Sequence, residues 1–459
     1  MRVFMRRFKI AAFGLVLVLT GCEQGVDPRA EAGGLALVGA QLIDGTGTAP
    51  VADSVIVIRD GRITAAGSRE TTSVPAGAEV IDVTGKSIIP GLVNLHVHYP
   101  GGPAGIERQF GTQLYYGVTT ARSIGSDSPE AVAFLLEAHA GRPDFPRAYT
   151  AGLGFSHPNG FNAAGRNAPT TEDEARAMVR NQAALGVQFI KMWVDRRPPG
   201  LKITPQMRTV IVDEAIRNGV VPVAHIDDEA DAIQLIRAGL RDFLHTTVLS
   251  LGPGIVDAGA PVDDPTPSLG FLQLAAEHDV VFTPTLSIVQ NRWHFAEHPE
   301  LLDDPDLRAA FNPDALARWD RPESRAEVVD APDFEDRKAS FRQVQDFVKT
   351  INEAGIQVAL GTDAGTPNVP FGWGMHHEME LYVEAGLTPM QTIVAATATG
   401  AAQISSPGEA DFGILEVGKV ADLIVLDADP LVDIRNTLEI DRVMRLGEWI
   451  DRTRLLPPN

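Results

Sequence analysis

The sequence predicts an α/β protein, a (β/α)8 TIM barrel with a small β-sandwich domain formed from its N- and C-terminal flanks, and three observations carry that expectation. Eight short apolar runs alternate with helix-length segments between residues 88 and 365, and strand-rich pieces lie at both ends of the chain. The 459 residues are 44% hydrophobic and 22% charged, enough apolar material for a sizeable core. One barrel with one small companion suits the length, because such barrels run to about 250 residues or more as a single unit. The 39 Lys and Arg against 60 Asp and Glu give a net charge of −21. That balance argues against a nucleic-acid partner, since binding phosphates needs a clustered basic surface.

The first residues stand outside this fold. Arg2, Arg6, Arg7 and Lys9 precede an apolar run at residues 10–19, followed by Thr20, Gly21 and Cys22. Residues 1–21 thus have the charged region, short apolar region and small cleavage residues of a signal peptide. The run is too short to cross a bilayer core of ~30 Å as a helix. Leu19-Thr20-Gly21-Cys22 resembles a bacterial lipobox, so Cys22, the single cysteine, is expected to carry lipid. The chain would then be a cell-envelope lipoprotein, periplasmic or otherwise extracytoplasmic; an ordinary secretory signal would leave the cysteine incidental. A lone cysteine also excludes a disulfide framework and any thiolate metal cluster. The acidic body should stand off anionic lipid, leaving the anchor as its one membrane contact. Residues 22–34 are small and polar, as a tether should be.

Residues 35–89 change to Val/Ile-rich runs broken by Gly, Asp and Pro, and Val55-Ile56-Val57-Ile58 before Asp60-Gly61 reads as a hairpin. Residues 421–427 and 442–450 read the same way, with Gly447 in a turn, so 35–89 and 404–459 are expected to form one β domain. Residues 90–403 form the barrel. Its strands are expected at 88–95, 118–122, 147–151, 187–193, 220–225, 241–245, 280–284 and 357–361. Helices are expected at 128–140, 171–185, 204–218 and 228–238, with another around 106–116. Residues 250–268 and 286–353 are longer than connections need, and are expected to be lids on the catalytic face.

The residues that carry chemistry fall at strand ends. His96 and His98, two apart at the end of the first barrel strand, point to the same side. Lys191 interrupts the apolar strand Phe189-Ile190-Lys191-Met192-Trp193, where a lysine is costly unless paired or chemically changed. His225 and His245 end the fifth and sixth strands, twenty positions apart, and Asp363 follows the eighth. Each has a bland alternative: a hydrogen-bonded core histidine, a lysine reaching the barrel rim, or an aspartate capping a helix. Five strand ends bearing ligand-type residues at the face where barrel active sites form point jointly to a metal site.

This pattern resembles the amidohydrolase superfamily, and within it the binuclear branch of imidazolonepropionase-like enzymes and prolidase-type dipeptidases. The similarity runs from about residue 35 to 450 and includes Gly418-Lys419-Val420-Ala421-Asp422-Leu423, which looks like the family's returning β-domain strand. By that resemblance His96 and His98 would hold one divalent ion, contacted by Asp363, while His225 and His245 would hold a second. Lys191, carboxylated, would bridge the two, most simply zinc ions. A shared hydroxide would attack a C–N amide bond of a small peptide or N-acyl amino acid, with Asp363 as the catalytic proton carrier. His157 would contact the substrate carbonyl, and Arg122, ending the second strand, a substrate carboxylate. Arg166, Arg196 and Arg197 are further candidates for that carboxylate. The family also suggests a homo-oligomer.

The chain departs from related dipeptidases at Asp227, where a second histidine is frequent, and at Thr246, where glycine is usual. Both changes bear on the substrate pocket and not on a ligand. His376 and His377 follow Asp363 without family precedent as ligands, and His139, His278, His294 and His298 read as structural or solvated. Trp193 and Trp373 are candidates to line the pocket. The competing readings are a cyclic-amide hydrolase, a mononuclear deaminase, which Lys191 disfavours, and an envelope lipoprotein that binds a ligand without turnover.

Overall fold

Short β-branched runs punctuated by tight turns build the first part of the chain. The computed structural model describes residues 33–160, 163–194, 200–226, 228–245, 266–405 and 410–456. The signal, Cys22 and most of the tether lie outside the described residues, as do Arg196, Arg197, Asp227, Thr246 and most of the 250–268 stretch. The described strands are numbered β1 to β17 in chain order.

β1 (Leu35–Val38), β2 (Gln41–Leu42), β3 (Ser54–Arg59), β4 (Arg62–Ser68), β5 (Glu79–Asp82) and β6 (Ser87–Pro90) come first. The expected hairpin joins β3 to β4 through Asp60 and Gly61, whose φ angles of 51° and 73° supply the paired left-handed residues that suit strand twist. Four of these strands make one sheet in the order β4-β3-β1-β5. From the far end of the chain, β15 (Leu423–Leu426), β16 (Ile440–Arg445) and β17 (Glu448–Trp449) join β6 and β2 in the order β17-β16-β15-β6-β2. Gly447 turns between β16 and β17, which pair antiparallel as the expected hairpin. The two sheets share a core: Leu37, Ile56 and Ile58 of the first cluster with Leu42, Ile88, Leu423, Val425 and Met444 of the second.

Gly91 is the junction to the rest of the molecule. A side chain there would place its Cβ 2.3 Å from Thr119 Oγ1, and its amide bonds Asp422 O. The strand expected at 88–95 therefore divides. Ser87–Pro90 stays with the terminal sheet, and β7 begins one residue beyond the glycine.

β7 (Leu92–Val97), β8 (Val118–Ser123) and β9 (Arg147–Thr150) form one parallel arc. β10 (Phe189–Val194), β11 (Val221–Ile226), β12 (Asp242–Leu244), β13 (Val281–Thr283) and β14 (Gln357–Val358) form another. Backbone bonds join the arcs along both edges: Gln188 N to Thr150 O and Phe155 N to Lys191 O on one side, Leu95 N to Leu360 O and Asp363 N to His96 O on the other. Apart from the divided first run, the apolar runs become strands close to where expected, the eighth shortened to Gln357–Val358. Between them lie α1 (Gly102–Tyr115), α2 (Pro129–His139), α3 (Glu172–Ala184), α4 (Pro205–Arg217), α5 (Glu229–Ala238) and α6 (Leu269–Glu277). Ser128, Thr171, Thr204, Asp228 and Ser268 start five of these helices by accepting a backbone N–H three residues on.

Residues 286–353, expected as a lid, fold as a helical layer: α7 (Ser287–Gln290), α8 (His294–Glu297), α9 (Pro305–Ala310), α10 (Pro313–Trp319), α11 (Pro322–Val329) and the long α12 (Phe334–Glu353). Phe295, Phe311 and Trp319 pack within it, and α12 turns Phe341, Val344, Phe347 and Ile351 inward. α13 (Trp373–Glu384) follows β14. Two polar clamps then hold the terminal strands to the parallel arcs. Asp422 accepts from Arg445 at 3.0 Å and from Arg147 of β9 at 3.2 Å. His376, buried on α13, sits 2.9 Å from both Tyr116 O and Thr437 Oγ1. No helix among the described residues is long and apolar enough to cross a membrane.

Candidate metal centre

Strand alternation brings the first ligands together. Asn94, His96 and His98 project on one side of β7 and its end, and the two imidazole Nε2 atoms lie 3.3 Å apart. Asp363, arriving after β14, places Oδ1 3.3 Å from His96 Nε2 and 3.1 Å from His98 Nε2. Burial first, then the neighbouring His245, Lys191, His98 and Arg122, holds His96 well below the ordinary imidazole range. His96 is therefore neutral, and its contact with Asp363 is not an ion pair. Asp363 Oδ1 is buried and makes no hydrogen bond despite facing both nitrogens. A carboxylate oxygen and two imidazole nitrogens converging on one point is a donor set suited to a divalent cation, and the three ligand atoms lie within 4.8 Å of one another.

The remaining candidates adjoin this cluster. His245 Nε2 is 3.9 Å from Asp363 Oδ2, and its ring centroid is 4.6 Å from those of His96 and His225. Register explains the placement, since parallel pairing sets His225 beside Trp193 on one side and Leu244 on the other. Lys191 is fully buried, two residues back from Trp193 on the same face. Gly125 makes room for it: a Cβ there would approach Lys191 Cγ and Trp193 to 2.8 Å. His96, His98, His225, His245 and Asp363 thus gather at or just beyond the C-terminal ends of their strands, and Lys191, mid-strand in β10, lies near enough for its charge to act on His96.

Backbone strain and outer hydrogen bonds hold these groups. His245, Thr285 and Asp363 have φ of 65°, 55° and 61°, a left-handed conformation that costs a non-glycine residue about 1–3 kcal/mol and collects at functional sites. Thr285 donates its hydroxyl to Pro284 O and lies 2.7 Å from His245 Nδ1. With its proton so placed, the threonine accepts from Nδ1–H, which leaves the His245 Nε2 lone pair facing Asp363. Ser126 Oγ is 3.2 Å from His98 Nδ1 and accepts from Arg166.

Besides Thr285 and Ser126, two further positioning residues escaped the sequence reading. Asn94, fully buried, accepts from His96 N and Thr362 N and donates to Thr362 Oγ1, which ties the His-x-His segment to the Asp363 turn. Glu378 accepts from Leu286 N at 2.6 Å and Ser287 N at 2.7 Å, fixing the turn that carries Thr285; burial pushes its carboxyl up to about 7. Asn94 had a usable signal, because it shares the facing side of the strand with both histidines. Glu378, fifteen positions beyond Asp363 on a different element, had none.

Other expectations change. Arg122 is fully buried, donating to Leu95 O and paired with Asp242 on β12, so it offers no face to a substrate. That expectation is corrected: Arg122 is an internal cross-link beneath the cluster. His157 accepts from Asn159 N and lines a cavity of about 350 Å³ with Pro158, Ile203 and Met207, which no candidate ligand lines. His377 turns instead to Gln290 and stacks near Trp373 and His294.

The amidohydrolase family model matches residues 87–450. The chain is 26% identical over 428 residues to the imidazolonepropionase of Mycolicibacterium smegmatis, covering 88% of this chain and 92% of that one. It is 25% identical over 270 residues to the ochratoxinase of Aspergillus niger, covering 57% and 45%. Among solved structures, a Bifidobacterium longum protein provisionally assigned as a prolidase is 27% identical with a TM-score of 0.70, covering 93% of this chain and 96% of that one. The chain belongs to the amidohydrolase family, whose solved members imply a TIM barrel with α/β content. It is accordingly a hydrolase acting on carbon–nitrogen bonds, in a family that uses divalent metals.

Proposed function

We propose that this hydrolase is a binuclear metal enzyme that cleaves the amide bond of a small peptide or an N-acyl amino acid. The observation that carries the reading is Asp363 Oδ1, buried without a hydrogen bond between two imidazoles, with His245 and a buried lysine alongside. His96 and His98 would hold one ion and His225 and His245 the second, with Lys191 carboxylated between them and zinc the simplest metal. The wider organisation proposed is a closed eight-stranded barrel at residues 90–403, with 35–89 and 404–459 packed as a β sandwich. Cys22 would anchor the mature chain to the cell envelope after removal of residues 1–21.

When bound, the ions acidify a water toward neutral pH and polarise the scissile carbonyl. The chain does the rest. Asp363 lies within hydrogen-bond reach of the space between the imidazoles, so it takes the proton of the attacking water and hands it to the leaving nitrogen. Thr285 and Ser126 keep the histidines oriented.

The test is metal content by mass spectrometry on a soluble chain beginning after Cys22, with turnover on a panel of dipeptides, N-acyl amino acids and one cyclic amide. Two equivalents in the parent, a fall in Lys191→Ala, and turnover lost in Asp363→Asn are expected. One equivalent indifferent to Lys191, even with added metal and bicarbonate, would reject the binuclear centre. Preference for the cyclic amide would favour the competing reaction, which the near full-length likeness to an imidazolonepropionase supports.

A further inference from the structure

We infer that Arg166 is the anion anchor of this site, and that the substrate carries a carboxylate which pairs with its guanidinium while the amide lies on the metal cluster. The inference rests on the hydrolase reading and narrows it to anionic substrates. Arg166 belongs to the loop after β9, and its Nη2 donates at 3.0 Å to Ser126 Oγ, the hydroxyl beside His98 Nδ1. One hydroxyl therefore separates the guanidinium from a ligand histidine. Its carbon also lies 5.0 Å from the Trp193 ring centroid, and Lys191 Nζ lies 5.2 Å from the same ring. Gly125 and Gly154 wedge that indole in place, since Cβ atoms there would come within 2.8 and 2.5 Å of it. Arg166 is thus one indole ring away from Lys191.

Among the described residues Arg166 has no counter-ion and, unlike the part-buried Arg241 and Arg452, which also lack one but donate to two backbone carbonyls each, it leaves a buried Nε unused beside the cluster. The other buried guanidinia near the strands are matched: Arg122 with Asp242, Arg147 and Arg445 with Asp422, Arg208 with Asp231. Arg166 makes no ion pair among the described residues, even in a chain of net charge −21. Its Nη1 reaches only Gly165 O at 3.3 Å, and its buried Nε has no hydrogen-bond partner. Asp127, the nearby carboxylate, is already engaged by Ser123 and Thr150 hydroxyls at 2.7 and 2.6 Å. A half-buried guanidinium with unused donors carries a desolvation cost that a planar carboxylate relieves through two parallel bonds.

The probes are N-acetyl-L-leucine, N-acetyl-L-methionine and N-acetyl-L-phenylalanine, each beside its carboxamide. The metal-loaded parent should favour an acid over its amide by about 30-fold or more in kcat/KM, the range of a charge-assisted hydrogen bond. Arg166→Gln should collapse that ratio to within about threefold, and Arg166→Lys should keep part of it. A ratio that survives in Arg166→Gln overturns the inference. So does an equal fall on both substrates together with loss of metal, which would give Arg166 to the metal centre. If no probe turns over, calorimetric titration of the same protein decides the matter separately. Binding of an acid that is lost in Arg166→Gln keeps the anchor while the amidase reading fails; equal binding of acid and amide, or none, overturns the anchor.

Discussion

At the scale of single residues, the metal cluster depends on backbones that approach too closely for side chains. Gly365 has φ of 101°, and a Cβ there would lie 1.8 Å from His98 O. Gly85 has a similar φ of 82° but open space around it. Replacing each by Ala separates strain from overlap: Gly85→Ala should cost about 1 kcal/mol, the left-handed penalty alone. Gly365→Ala should cost about 2–4 kcal/mol and weaken metal binding as well, because the overlap displaces His98. Denaturant melts with metal titration check both, and equal costs with equal metal affinity would remove Gly365 from the site. The candidate ligands were legible one by one because a polar residue ending an apolar run is conspicuous. Their outer partners were not, because Thr285 and Glu378 lie on turns and helices whose closeness to β12 and Asp363 is a property of the folded chain.

At the scale of elements, α13 meets α1 and the segment before β16 through His376. Burial holds this imidazole at about 4, against an ordinary 6.5. Between those values the unfolded chain binds a proton that the folded one refuses, so the contribution to stability falls as pH drops from 6.5 to about 4 and is flat below. The shift corresponds to about 3 kcal/mol. His376→Gln should therefore flatten the pH dependence of unfolding across this window relative to the parent, as read from urea melts at half-unit steps. An unchanged slope would show that another group controls the junction. Strand positions were readable because each run is short, apolar and bounded by Gly or Pro. The break at Gly91 was not, because residues 88–95 are apolar throughout and only the approach of Thr119 decides where one sheet stops. Nor was the Arg122–Asp242 pair, whose partners lie 120 positions apart on strands that do not adjoin.

At the scale of the whole molecule, one carboxylate ties the parallel arcs to the terminal strands. Asp422 is nearly fully buried and accepts from Arg147, from Arg445 and from Leu446 N. Asp422→Asn leaves two guanidinia buried against a neutral amide, and should cost about 3–5 kcal/mol in unfolding free energy by denaturant titration. A loss below about 1 kcal/mol would mean that the arcs and terminal strands are held by apolar packing instead.

The pairing of β6 with β15 has a consequence for synthesis. Residues 87–90 emerge from the ribosome early, yet their antiparallel partner is residues 423–426, more than three hundred positions later. Until that partner is translated, Ile88 and Ile89 present an open strand edge, an invitation to stray pairing. A prematurely terminated chain therefore advertises its own incompleteness to chaperones and proteases, and the last sheet strands made act as the seal on a finished molecule.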